Sequence, residues 1–75
     1  MKQYTRGDIE SLSMKLYGAV GAEQYDKLIA ENDLQYYEDM FMNVMAGDIP
    51  ERAITKQFAQ EFCEGLTKIM DKLGI

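Results

Sequence analysis

Apolar residues recur every three or four positions along this chain, and no segment keeps a strict alternation of apolar and polar residues. That spacing is the signature of helices packed through one face, and it argues against strands. Turn residues divide the chain into four pieces. In the first, Thr5-Arg6-Gly7-Asp8 resembles a capping box with Asp8 in place of the more usual glutamate. Ile9, Leu12, Leu16 and Val20 follow on one face, and Gly21 is placed to stop the helix. Gly18 is expected to let another helix approach closely. The second piece, residues 22–31, carries Tyr25, Leu28 and Ile29 on one face. Asn32-Asp33 then breaks the phase and is expected to cap the third helix.

The third piece includes LQYYEDMFMNVM, residues 34–45. On a helical projection, Leu34, Tyr37, Phe41, Val44 and Met45 share one arc of about 100°, the expected core face. Tyr36, Asp39 and Asn43 point away, and Met40 and Met42 flank the two sides. Ala46-Gly47 ends this helix. Asp48-Ile49-Pro50-Glu51 then reads as the start of a long fourth helix over residues 49–72, capped by Asp48, with proline in its first turn. Ile54, Phe58, Phe62, Leu66, Ile69 and Leu73 form its stripe, widened by Ala59, Cys63 and Met70. Lys68 and Lys72 suit the negative end of its dipole, and Gly74 stops it. The expected fold is all-α: one domain over residues 1–75, a small bundle of three to four helices with a long C-terminal helix.

Length sharpens that expectation. A 75-residue domain buries only about 60% or a little more of its unfolded surface, so its core has little to spare. A fourth helix of about 24 residues would be near 36 Å long, longer than its neighbours can cover. An uncovered stripe there predicts a homodimer. Apolar residues at 47% and charged residues at 28% suit a folded protein. The single cysteine, Cys63, permits no intrachain disulfide and is expected to be a buried packing residue. No apolar run is long enough for a membrane span, and the N-terminus lacks the apolar core of a signal peptide. The expected location is the cytoplasm, with no membrane partner.

Charge changes the picture most. Residues 22–51 hold eight acids against Lys27 alone, a balance of −7, whereas the flanking segments are each at +1. Such a field repels nucleic acid and attracts a basic surface. It also serves as a solvated face that keeps a small protein dispersed.

Chemistry is sparse. There is no histidine, which removes the commonest general base and the commonest transition-metal ligand. No glycine-rich phosphate loop and no dense oxygen-ligand loop occurs. Ser11 and Ser13 have no histidine to activate them. No enzyme activity, cofactor or metal is expected, and no direct binding of nucleic acid. No motif is specific enough to name a family. Two functions remain in view. One is a stoichiometric inhibitor or regulator of a nucleic-acid-handling protein, of the phage or mobile-element type such as anti-CRISPR or anti-restriction. It would dock on a basic surface through Glu31, Asp33, Tyr36, Glu38, Asp39, Met40 and Asn43. The other is a homodimeric structural or regulatory adaptor, with the acidity serving only solvation.

Overall fold

Thr5 starts the first helix as the sequence predicts. In the computed structural model, which describes residues 3–75, the Asp8 N–H donates to Thr5 Oγ1 at 3.3 Å. The Thr5 N–H in turn donates to Asp8 Oδ2 at 2.8 Å, completing the capping box. Four α-helices follow: α1 (Arg6–Val20), α2 (Ala22–Glu31), α3 (Gln35–Met45) and α4 (Lys56–Leu73). A single 3₁₀ turn, Glu51–Ala53, lies before α4. The all-α expectation holds: the chain is 78% helical, with no strand among the described residues. The α1 helix packs chiefly against α4, α2 against α1, and α3 against α2.

One residue separates α1 from α2. Gly21 has φ 87° and ψ 166°, a combination open essentially only to glycine. Its N–H donates to the Tyr17 carbonyl at 2.8 Å, finishing α1. Its own carbonyl accepts from the Tyr25 N–H at 2.9 Å, beginning α2. The angle between the helices is therefore set at a single backbone position.

The other helix ends share one device. At the end of α2 the Leu34 N–H reaches back to the Ile29 carbonyl at 2.9 Å, and the Asp33 N–H to the Ala30 carbonyl at 3.3 Å. This is a Schellman turn, with Asp33 in the left-handed position at φ 58°. Aspartate tolerates that conformation better than most residues. Asp33 therefore closes α2 and does not cap α3; Leu34 holds that cap position and makes no side-chain cap bond. Gly47, at φ 85°, closes α3 in the same way, with the Asp48 N–H bonded to the Asn43 carbonyl at 2.9 Å.

That turn corrects the expected start of the last helix. Asp48 belongs to the end of α3. Pro50 is extended (ψ 144°), the 3₁₀ turn follows, and Ile54 (ψ 86°) breaks the path again. Thr55 is the true N-cap, its Oγ1 accepting from the Phe58 N–H at 3.0 Å. The β-branched pair Ile54-Thr55 disfavours a helix running through it, and the threonine hydroxyl satisfies a helix-end N–H instead. Thr55→Ala should lower stability by about 1 kcal/mol. Asp48→Ala should leave the denaturant midpoint unchanged, and equal losses in both variants would place the cap elsewhere.

The shorter α4, 18 residues and about 27 Å, changes what its neighbours must cover. Phe58, Ala59, Phe62, Cys63, Leu66, Ile69 and Met70 are all buried, and only Leu73 at the end of the stripe is exposed. The long uncovered stripe expected from the sequence is absent. The accessible surface, 4972 Å², is close to the roughly 4,700 Å² typical of a compact monomer of this mass.

The core holds Ile9 and Leu16 of α1, Tyr25, Leu28 and Ile29 of α2, Leu34 and Phe41, and the α4 stripe. Phe41, Phe58 and Phe62 share it, as their spacing predicts. Tyr37 stacks on Phe62, with ring centroids 5.8 Å apart, and its hydroxyl donates to Glu61 Oε1 at 2.6 Å. Val44 is buried, but Met45 is exposed, with its sulfur 2.9 Å from Arg6 Nη2. The close helix approach is at Gly65, where a β-carbon would stand 2.7 Å from Leu34 Cδ2; Gly18, expected to serve that purpose, has open space around it.

Candidate functional site

On α1, Ser13, Met14 and Tyr17 stand at helical spacing on a face beside the core stripe. On α2, Ala22, Tyr25 and Asp26 do the same, and on α3 Glu38 and Met42 do. The Gly21 turn brings the first two groups together, and α3 supplies the third. These eight residues line an open cleft of about 400 Å³. Its size falls in the lower part of the range for ligand-accepting clefts.

The rim is apolar and wet. Met14 is 73% exposed, Met42 55% and Tyr17 50%, which places three of the largest exposed apolar side chains around one opening. Isolated exposed apolar residues are ordinary, whereas a group of them around a concave surface is a feature to explain. The Tyr17 ring is tilted against Tyr25, with centroids 5.4 Å apart.

The lining also carries two acids, Asp26 and Glu38. Tyr25 is buried, and its hydroxyl donates to Glu38 Oε1 at 2.7 Å. Burial, then the Glu38 acceptor and the charges of Glu38 and Asp26, hold the Tyr25 hydroxyl protonated far above the usual phenol range. Glu38 itself is raised above the usual carboxylate range. Burial is the main cause and the charges of Asp26 and Asp39 add to it, while the Tyr25 hydrogen bond works the other way. No lysine or arginine lines the cleft. At neutral pH, Glu38 therefore stands in a place that disfavours its charge.

A pH dependence follows. Glu38 takes up its proton more readily in the folded chain than in the unfolded one. Its favourable contribution to folding is present below the usual carboxylate range and is lost as pH rises through its raised pKa. Glu38→Gln keeps an acceptor for the Tyr25 hydroxyl and removes the charge. The variant should be more stable than the parent at neutral pH, and the gain should vanish below about pH 3, where the parent carboxyl is protonated in both states. Urea midpoints across that range test this, and a variant less stable at neutral pH than in acid, relative to the parent, would contradict it.

The residues expected to form the partner-binding face stand in different surroundings. Tyr36 is 64% exposed and meets Tyr37 edge-on. Asp39 is exposed and accepts from Gln35 Nε2 at 2.9 Å. Asn43 is exposed, and its carbonyl serves the turn after α3. Glu31, the last residue of α2, and Asp33, in the turn before α3, are exposed, and Glu31 lines a separate groove with Lys72 and Leu73. Two placements differ from expectation. Glu38 is half-buried in the cleft, and Met40 packs against the core, leaving Met42 as the exposed member of the flanking pair.

Part of this was open to sequence reasoning. On the projection of the third helix, Glu38 lies about 40° from Leu34, at the edge of the core arc rather than opposite it. Met14 and Tyr17 carry the i, i+3 spacing that marks a second face on α1. Comparison with protein-family models, with curated proteins and with solved structures gives no match to this chain. No three Cys, Asp or Glu side chains among the described residues converge as metal ligands, and no described helix is long and apolar enough to cross a membrane.

Proposed function

We propose that this protein is a small acidic binding module, a stoichiometric inhibitor or regulator that docks on the basic surface of a nucleic-acid-handling protein. Phage and mobile-element inhibitors of the anti-CRISPR and anti-restriction kind are its functional class, and its role is binding rather than catalysis. The observation that carries this reading is the lack of internal compensation for the acidic charge. Thirteen acids and eight bases are available in the sequence, yet Arg6–Glu51, at 2.8 Å, is the one ion pair among the described residues.

Three acids on the helix surfaces are steadied by glutamine. Gln35 donates to Asp39, Gln57 to Glu61 and Gln60 to Glu64, each four residues apart. Lysine in those positions would also pair with the acid and would cancel the charge. Glutamine orients the carboxylate and leaves its field intact. An uncancelled field of this kind speeds association with a basic partner and repels free nucleic acid.

The test is capture from cell lysate on the immobilised chain at low and high salt. The expected partner is a basic protein that is released by salt and displaced by its own nucleic-acid ligand. A partner retained equally at both salt concentrations, or one that binds its nucleic acid undisturbed, would contradict this function. The competing reading, a homodimeric adaptor, loses the long uncovered stripe on α4, of which the exposed Leu73 remains. Light scattering at micromolar concentration separates the two: twice the 8.6 kDa chain mass favours the adaptor, and the chain mass itself favours the binding module.

A further inference from the structure

We propose that the cleft between α1, α2 and α3 receives an arginine side chain from the basic protein partner, and that this cleft, rather than the outer face of α3, is the anchor of the interface. The inference rests on the basic-partner reading above and gives that reading a location.

Three features of the cleft specify the occupant. The first is shape and surface. Met14, Met42 and Tyr17 form an exposed apolar rim, and methionine adapts its shape to what it covers. An arginine brings an aliphatic stem that suits such a rim, and a planar head that stacks on an aromatic ring. The second is charge. The exposed Asp26 and the half-buried Glu38 both line the cleft, and no cation of this chain is among the lining residues. The third is hydrogen-bonding capacity. Tyr25 occupies one oxygen of Glu38, Oε1, and no described residue donates to the other. A guanidinium has five N–H donors in a fixed fork and meets carboxylates with two at a time. A partner's carboxylate or phosphate would meet two acids here, and an apolar side chain would leave both acids facing it without compensation.

The outer face of α3 offers less. Tyr36 and Asp39 are exposed on a helix surface, and neither lines any of the four best-formed clefts. Charge there steers an encounter, but a residue buried on binding is what slows release.

The experiment is a titration of the isotope-labelled full chain with tri-arginine amide, read by amide and methionine-methyl NMR shifts. Tri-citrulline amide, of the same shape without the charge, is the control. The expected result is saturable movement of the Met14 and Met42 methyls and of amides near Tyr17, Asp26 and Glu38, with the citrulline peptide at least tenfold weaker. Asp26→Asn with Glu38→Gln should weaken tri-arginine binding at least tenfold. Met14→Gln, on a side chain too exposed to support the fold, should weaken it about threefold. Asp39→Asn should change it less than twofold. Saturable shifts centred on Tyr36 and Asp39, or binding indifferent to the Asp26 and Glu38 changes, would overturn the cleft while leaving a basic partner in place. No saturable binding of tri-arginine at any surface would overturn both.

Discussion

Phe62→Ala should cost about 3–5 kcal/mol, the range for emptying a fully buried phenyl site. Phe62 is completely buried, and its ring is the meeting point of three others. Tyr37 stacks on it from α3 at 5.8 Å, Phe41 meets it edge-on at 6.4 Å, and Phe58 does so from its own helix at 6.1 Å. Removing the ring leaves a cavity lined by three aromatic rings. It also frees Tyr37, whose hydroxyl bond to Glu61 joins α3 to α4. A domain of this length has a total stability of only about 4–11 kcal/mol, so the loss is a large share of the whole. The melting temperature should fall by roughly 15 °C or more, or the chain should fail to fold at ambient temperature. Phe62→Leu, which refills most of the volume, should retain a cooperative transition and distinguish a cavity from a general intolerance at this position. A Phe62→Ala chain that melts with the parent would mean that the α4 stripe is not the core.

Gly21→Ala should cost about 1–3 kcal/mol, through the backbone alone. Nothing in the fold stands within 4 Å of the added carbon, so no clash with a neighbouring element contributes. The penalty comes from asking an L-residue to hold φ 87° with ψ 166°. D-alanine at the same position accepts positive φ and should keep the parental stability, which isolates the cause. The substitution has a second expected effect. Gly21 alone joins α1 to α2, so any relief of strain rotates Tyr25 and Asp26 relative to Met14 and Tyr17. The Tyr17–Tyr25 contact and the tri-arginine site should then be disturbed together in whatever fraction remains folded. Equal stability of the L-alanine and D-alanine forms would show that the turn adopts another conformation.

The number, order and type of the helices follow from local patterns that need no tertiary information. The period of apolar residues marks four helices, Gly21, Gly47 and Gly74 stand at their ends, and the Thr5–Asp8 box starts the first. The phenylalanine stripe of α4 is visible because six apolar positions keep one phase. Where two local signals competed, the outcome lay with the folded chain. Asp48-Ile49-Pro50-Glu51 resembles a helix start more than Thr55 does, yet the Asp48 N–H is taken by the Schellman turn that closes α3, and Thr55 makes the cap. Asp33 reads as a cap for α3 until its left-handed φ shows it finishing α2.

The cleft depends on tertiary structure for a different reason. A helical projection tells that Met40 and Met42 lie on opposite flanks of α3, but not which flank a neighbouring helix will cover. That is decided by the positions of α1, α2 and α4, which rest on the angle at Gly21 and on the early end of α3. Those positions half-bury Met40 and open Met42. They also turn Glu38 from one more surface acid into a half-buried carboxylate beside Asp26. Periodicity encodes which residues share a face of one helix. Which faces meet is a property of packing among helices distant in sequence, and the cleft exists only at such a junction.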